Sequence, residues 1–104
     1  RVDNSTRLTD EGKQLDRLFY VLDGTPRIDK AGRSIESSAG VFIGEVAYLK
    51  KRPATASVNV EPGALYIEWT HAALDRLKRR QGGFEVALGR LLGADMAEKV
   101  ARAN

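Results

Sequence analysis

The sequence predicts a mainly β domain that ends in α-helices. Short runs of β-favouring residues alternate with turn residues over about residues 5–69, and helical periodicity takes over at about residues 70–103. The first part lacks the long helices between strands that a parallel α/β sheet requires. Many short strands therefore favour a sandwich or a barrel. The length of 104 residues fits a single domain spanning residues 1–104.

Each predicted strand is a short run of β-branched, aromatic or alternating residues. Ala31 and Gly32 predict a hairpin turn between the third and fourth strands, and Glu61 to Gly63 predict a turn before the last one. In chain order, the predicted strands are residues 6–9, 18–22, 25–29, 33–37, 55–60 and 64–69.

A helix is predicted directly after the last strand. Thr70 is expected to cap it, and Trp69 is expected to pack on Leu74 as a hydrophobic staple. Leu74 and Leu77 mark the expected buried side. The glycines of the segment 81–83 are expected to end the helix.

A second, longer helix is predicted after these glycines, because apolar residues recur there at helical spacing on one face. This face has two interpretations: it packs on its own domain, or it forms a homodimer through contact with a second copy of the chain. The residues of the face are Phe84, Leu88, Leu91, Leu92, Met96 and Val100.

The charge pattern and the motifs argue against several classes of protein. The net charge is +3, but acidic and basic residues are interspersed except at residues 76–80, where a basic helix end suits the helix dipole. Direct nucleic-acid binding is therefore not expected. His71 is the only histidine, too few for a cupin-type metal site, and we interpret it as a surface or capping residue. A P-loop, GxGxxG and GxSxG are all absent, so an enzyme is not expected.

Two further features bear on location. No apolar run approaches the roughly 18 residues that cross a bilayer, and the sequence has no cysteine, which is compatible with a reducing compartment. We expect a cytoplasmic location, and a membrane tether outside these residues is left open.

The segment 42–58 has the parts of an anion-binding loop. Gly44 allows close backbone approach, and a helical turn at about residues 45–49 would present N–H groups to a phosphate. Glu45 would accept hydrogen bonds from a sugar hydroxyl, and residues 50–52 are all basic. The alternative is a tight turn between two strands with a solvated basic tip.

This segment resembles the phosphate-binding cassette of cyclic-nucleotide-binding domains, which occur in bacterial catabolite activators, kinase regulatory subunits and ion channels. Residues 42–49 (FIGEVAYL) and 52–58 (RPATASV) carry the resemblance. Residues 16–24 and the hairpin around 32–35 are also similar to that family, and the resemblance extends over residues 6–103.

The later part of the chain looks like the Popeye branch of that fold. The strand 65–69 (LYIEW) and the helical stretch 92–99 (LGADMAEK) carry this likeness. The N-terminal helices usual in the family are not recognised in these residues.

The resemblance implies a β-roll, a double-stranded β-helix or jelly roll, whose cassette holds the ring phosphate and ribose of cAMP or cGMP. It implies that Glu45 binds the ribose 2′-hydroxyl, that Gly44 and Ala47 contribute backbone N–H groups and that Thr55 contacts the phosphate. It also implies that the C-terminal helix moves on binding. The implied nucleotide-binding residues are Gly44, Glu45, Val46, Ala47, Arg52, Ala54 and Thr55.

One position departs from the family pattern. The phosphate-binding arginine of the family follows the position of Pro53, where this sequence has Ala54. Alanine cannot replace the bidentate contact of a guanidinium, whose loss costs on the order of 100-fold in affinity. Arg52 would share a face with Ala54 in an extended segment and could reach the phosphate; the alternative is an arginine at a loop tip. Two functions follow: a non-enzymatic sensor of cAMP or cGMP, or a ligand-free domain used for dimerisation or interaction.

Overall fold

The computed structural model describes residues 5–80, 83, 87 and 89–93. Over these residues it contains seven strands and two helices. They are β1 (Thr6–Thr9), β2 (Arg17–Asp23), β3 (Arg27–Lys30), β4 (Arg33–Glu36), β5 (Val41–Ile43), α1 (Glu45–Lys50), β6 (Ser57–Val60), β7 (Leu65–Thr70) and α2 (His71–Arg80).

The strands form two antiparallel sheets. One has the order β1-β6-β3-β4 and the other the order β5-β2-β7. In the second sheet, Phe19 of β2 lies opposite Ile43 on one side and Glu68 on the other. Apolar residues of both sheets share one buried core, so the sheets pack face to face. The predicted mainly β fold with a sandwich arrangement is confirmed.

Strand β2 separates two apolar clusters, because successive side chains of a strand point to opposite faces. Phe19 and Val21 point into the core between the sheets. Leu18 and Tyr20 point to the other face of their sheet. There they pack with Phe42 of β5, Tyr48 of α1, Leu74 of α2 and Leu92 from the stretch 89–93.

The hairpin between β3 and β4 forms at the predicted place. Ala31 has φ 51 and Gly32 has φ 79, and Lys30 pairs with Arg33 across the turn. Positive φ at both central residues is typical of the two-residue type I′ hairpin, which matches the twist of the strands. The sequence analysis missed β5, which has three residues between glycine-containing segments, and it began β6 two residues too early.

Helix α2 begins as predicted. The amide of Ala73 donates a hydrogen bond of 3.1 Å to Thr70 Oγ1, and Trp69 packs against the cluster that contains Leu74. The prediction for Leu77 is wrong, because its side chain is 38% exposed. Leu74 is the buried residue of α2.

The predicted second helix is described in part. Leu92 is fully buried in the cluster with Leu18 and Leu74, which agrees with packing on its own domain. Leu91, from the same predicted face, is 55% exposed, so the described residues leave both interpretations of the face open. The predictions for the rest of the face, Phe84, Leu88, Met96 and Val100, lie outside the described residues. Within the described part of the chain, neither helix is long and apolar enough to cross a membrane.

Candidate functional site

A pocket opens between the beginning of α1 and the segment that leads into β6. It encloses about 80 Å³, several times the roughly 10–15 Å³ that one water molecule requires. Residues 44–47 form one wall and residues 54–56 form another. The floor comes from strands of the core, through Thr9, Ile28, Ile43 and Val58.

Gly44 fixes how α1 leaves strand β5. It has φ 91 and ψ 16, in the left-handed region that favours glycine. A Cβ atom at this position would lie 2.8 Å from Leu15 Cδ2 and 3.1 Å from the carbonyl oxygen of Arg17. The close approach to β2 therefore requires glycine, and it sets the beginning of α1 at the pocket.

The first turn of α1 presents polar groups at the pocket. The amide of Tyr48 donates a hydrogen bond of 3.2 Å to the carbonyl of Gly44, so the amides of Val46 and Ala47 precede the first hydrogen bond within the helix. Glu45, in the same turn, is 7% exposed and lines the pocket. Its carboxylate also lies at the helix end where a negative charge is favoured.

The opposite wall is held by backbone hydrogen bonds. The amide of Ala54 donates to the carbonyl of Lys13 at 2.9 Å, and the amide of Gly12 donates to the carbonyl of Ala54 at 2.8 Å. Thr9 Oγ1 donates to the carbonyl of Ala56 at 2.8 Å. These bonds fix the position of residues 54–56. Ala54 is 7% exposed and lines the pocket.

The basic residues after α1 do not line the pocket. Lys50, Lys51 and Arg52 are exposed, and none of the described lining residues is Lys or Arg. Arg52 does not join Ala54 in the pocket lining, which agrees with the alternative interpretation of an arginine at a loop tip. Lys51, just before it, ends α1 in the left-handed region with φ 55.

On the other side of α1, five side chains form what we call the helix-junction cluster: Tyr48, Lys51, His71, Asp75 and Lys78. The Tyr48 hydroxyl donates a hydrogen bond of 3.2 Å to Asp75 Oδ1, and Lys78 Nζ lies 3.4 Å from the same oxygen. Lys51 Nζ and Lys78 Nζ lie 4.6 and 5.1 Å from the centroid of the Tyr48 ring, within reach of cation–π attraction. The cluster thus joins α1 to α2.

The charges of the cluster shift one another's pKa values. Burial raises the pKa of Tyr48, and the hydrogen bond with Tyr48 raises the pKa of Lys78. Burial acts to raise the pKa of Asp75, but Lys51, the Tyr48 hydroxyl and Lys78 together outweigh it, so this pKa is lowered. The arrangement favours charged Asp75 and charged Lys78 beside a neutral tyrosine.

His71, interpreted from the sequence as a surface or capping residue, is half-buried at the beginning of α2 and packs within this cluster. Its ring centroid lies 4.9 Å from that of Tyr48, and its amide donates to the carbonyl of Asp16 at 2.8 Å. Nε2 is buried, and no described residue forms a hydrogen bond with it. Burial, reinforced by Lys51, lowers the pKa of His71. The ring lies against Tyr48 because β7 passes directly into α2, which brings residue 71 over α1.

In the part of the chain that the structure describes, no three His, Asp or Glu side chains are grouped so that they could hold a metal ion.

Comparison with known proteins gives matches among solved structures. No family model matches the chain, and no curated protein matches it. A cyclic nucleotide-binding domain from Methylobacillus flagellatus KT superposes with a TM-score of 0.77 at 23% identity, over 95% of this chain and 61% of that one. This chain has the cyclic-nucleotide-binding fold.

Two further structures of the cyclic-nucleotide-binding fold contain ligands. A cAMP-bound PfPKA-R fragment matches with a TM-score of 0.68 at 22% identity, over 91% of this chain and 33% of that one. A guanosine-bound regulatory subunit of a cAMP-independent protein kinase A from Trypanosoma cruzi matches with a TM-score of 0.59 at 19% identity, over 67% and 26%. The chain thus spans from 26% to 61% of the length of these three structures. The likeness to the Popeye branch stays a prediction.

The structure brings most of the predicted site residues to one pocket. Gly44, Glu45, Val46, Ala47, Ala54 and Thr55 line it, and Arg52 does not. The predicted site residues did not include Thr9, Ile28, Ile43, Ala56 and Val58 of the lining, and the sequence analysis missed the helix-junction cluster. The residue spacing could have indicated this cluster. Lys51 follows Tyr48 by three positions, and Lys78 follows Asp75 by three positions, a spacing that places two side chains next to each other on a helix.

Proposed function

We propose that this chain is a non-enzymatic regulatory module that works in the cytoplasm and senses a small ligand in the α1 pocket. The observation that carries the proposal is the buried carboxylate of Glu45, beside the first-turn amides of α1, at a cavity in the segment that resembles a ligand-binding cassette. A carboxylate and amides at one cavity offer both acceptors and donors for hydrogen bonds. The cyclic-nucleotide-binding fold supports the same proposal.

The proposed ligand contains a ribose. The resemblance implies cAMP or cGMP, and solved structures of the same fold hold cAMP in PfPKA-R and guanosine in the Trypanosoma cruzi protein. All of these molecules carry ribose hydroxyls, which can donate to a carboxylate. In this proposal Glu45 accepts hydrogen bonds from the sugar, and the amides of Val46 and Ala47 donate to its oxygens.

Calorimetry tests the proposal with cAMP, cGMP, adenosine and guanosine as probes. We expect saturable binding of at least one of them, and we expect Glu45→Gln to weaken it by about tenfold or more, because a hydrogen bond to a charged group contributes about 1.5–3 kcal/mol. Glu61→Gln, in the exposed turn before β7, makes the same charge change away from the pocket and should bind as the parent does. Equal binding by the Glu45 variant, or no binding of any probe at millimolar concentration, would contradict the proposal.

A second function is a ligand-free interaction module that dimerises through the C-terminal helix. Leu91, 55% exposed beside the buried Leu92, is the observation that favours it. Sedimentation velocity tests this reading: a dimer that Leu91→Glu dissociates would support it, and a monomeric parent chain would rule it out.

A further inference from the structure

We infer that neutral His71 keeps α2 against α1, and that protonation of this ring releases α2 while the two sheets stay folded. The helix-junction cluster, whose residues do not line the α1 pocket, is then a proton-sensitive contact between the two helices, with or without a ligand. Four features of the cluster and its helix support this inference.

The first feature is the environment of the ring nitrogen Nε2. Nε2 is buried, and no described residue forms a hydrogen bond with it. A neutral imidazole tolerates such a position, because one of its two nitrogens carries no hydrogen. A protonated ring carries a hydrogen on both nitrogens, so Nε2 would become a buried, charged donor without an acceptor, which is unfavourable.

The second feature is the position of the ring in α2. His71 is the first residue of this ten-residue helix, and the first turn contains no acidic residue. The beginning of a helix is the positive end of its dipole, where a cation is unfavourable. Protonation of His71 therefore weakens the first turn of α2 as well as placing a charge in a buried site.

The third feature is the balance of the charges around the ring. Burial and Lys51 act against a charge on His71, and they outweigh the groups that favour it, so the pKa of His71 is lowered. The described ionisable residues that face the cluster come from the beginning of β2, from α1 and from α2. They are Asp16, Arg17, Tyr48, Lys51, Asp75 and Lys78.

Asp75 is the carboxylate of α2 that lies one helical turn after His71, but it already has partners. Its Oδ1 accepts a hydrogen bond of 3.2 Å from the Tyr48 hydroxyl and lies 3.4 Å from Lys78 Nζ. To compensate a proton on His71, Asp75 would have to leave the Tyr48 hydroxyl. That movement also breaks the hydrogen bond that joins α1 to α2.

The fourth feature is how little of α2 is buried. Leu74 is its buried residue. Among the described residues, the core between the sheets includes none from α1 or α2. The contact between the helices can therefore be lost while the core between the sheets stays packed.

NMR spectroscopy of the whole chain tests the inference, because His71 is the only histidine and its ring signals are unambiguous. The Tyr48 and His71 ring centroids lie 4.9 Å apart, close enough for strong cross-peaks between their protons. We expect these cross-peaks to disappear as the pH falls from 7.5 through the midpoint of the ring titration, which should lie below 6.5. Cross-peaks between Phe19 and Tyr66, whose ring centroids lie 5.8 Å apart in the core, should persist.

A variant that cannot take up the proton should keep the helices together. In His71→Gln, cross-peaks between the Tyr48 ring and the Lys78 side chain, which lie 5.1 Å apart from ring centroid to Nζ, should persist at a pH where the parent chain has lost them. Ala72→Gln, at the neighbouring exposed position, is the matched control and should lose them as the parent chain does.

Three results would overturn the inference. One is a His71 ring that becomes protonated while its cross-peaks with Tyr48 remain. Another is simultaneous loss of the Phe19–Tyr66 cross-peaks, which would show that the whole chain unfolds. The third is a midpoint at or above 6.5. The parent chain alone distinguishes these results, so they decide the matter even if His71→Gln does not fold.

Discussion

The two sides of helix α1 differ in which charged side chains they carry and in what those side chains contact. On the pocket side, the described lining carries one carboxylate, Glu45, and no Lys or Arg. On the other side, Lys51 and Lys78 surround the ring of Tyr48, and Asp75 accepts a hydrogen bond from its hydroxyl. The difference shows that basic residues next to a cassette-like segment need not serve anion binding. Here Lys51 helps to hold α1 against α2.

Both sides are needed to keep α1 in place. The helix has six residues, and a helix this short is not stable by itself in water. Tyr48, 2% exposed, anchors it in the apolar cluster behind β2, while Gly44 allows it to begin close to β2. Substitutions on either side should therefore affect stability, and substitutions on the pocket side should also affect binding.

The largest effect on stability is expected on the pocket side, from Gly44→Ala. The left-handed backbone costs a residue with a Cβ roughly 1–2 kcal/mol, and the contacts at 2.8 and 3.1 Å with Leu15 and Arg17 must also relax, which adds about 1–3 kcal/mol. Urea unfolding measures the sum. Gly63→Ala is the matched control, because Gly63 has φ +89 with no atom within 4 Å of the added Cβ. Equal losses in the two variants would show that the close approach to β2 is not what requires glycine.

A smaller effect is expected on the other side, from Tyr48→Phe. The variant keeps the ring beneath Lys51 and Lys78 but removes the hydrogen bond to Asp75, which should lower the free energy of unfolding by about 0.5–1.5 kcal/mol. Since Tyr48 does not line the pocket, ligand affinity should stay near that of the parent chain. Tyr66→Phe, on β7, serves as the control in the same urea titration. If the Tyr48 variant were as stable as the parent chain, the Tyr48 hydroxyl would not contribute to holding α1 against α2.

The smallest effect is a pH dependence from His71. Its pKa is lowered from 6.5 in the folded chain by burial and by Lys51, against the opposing Arg17 carbonyl, Asp16 and Asp75. As the pH falls, His71 therefore takes up a proton near pH 6.5 in the unfolded chain, but only at a lower pH in the folded chain. Stability should be fully present above pH 6.5 and fall as the pH drops through that value, by at most about 1.4 kcal/mol per pH unit for one proton.

Urea midpoints measured between pH 7.5 and 5.5 check this dependence, and His71→Gln should flatten the curve in that range. The lowered pKa of Asp75 acts in a separate range, because its contribution to stability is lost only as the pH falls below 3.8, the ordinary pKa of an aspartate. A curve that His71→Gln leaves unchanged would mean that another group titrates.

The sequence predicted what local patterns determine. The run of β-favouring residues in β2, the turn at Ala31 and Gly32 and the Thr70 cap are all set by neighbouring residues, and each is found where expected. Strand β5 was missed because three residues give too little pattern to recognise. The pocket residues after Gly44 were predicted from the resemblance.

The errors lie where distant segments meet. The sequence left open whether Arg52 reaches the pocket or lies at a loop tip, and the structure places it outside the described lining. The contact between Tyr48 and His71 depends on how β7 carries α2 over α1, which neither segment encodes alone. For the same reason, the sequence could not show that Lys51 contacts Tyr48 instead of lining the pocket.

The central claim, that the pocket side of α1 binds the ligand while the charged side holds the helices together, is tested most directly by ¹H–¹⁵N NMR spectra recorded during a titration with guanosine. We predict that the largest shifts occur at the amides of residues 44–47 and 54–56. Shifts centred on Lys51, Asp75 and Lys78 would contradict the account.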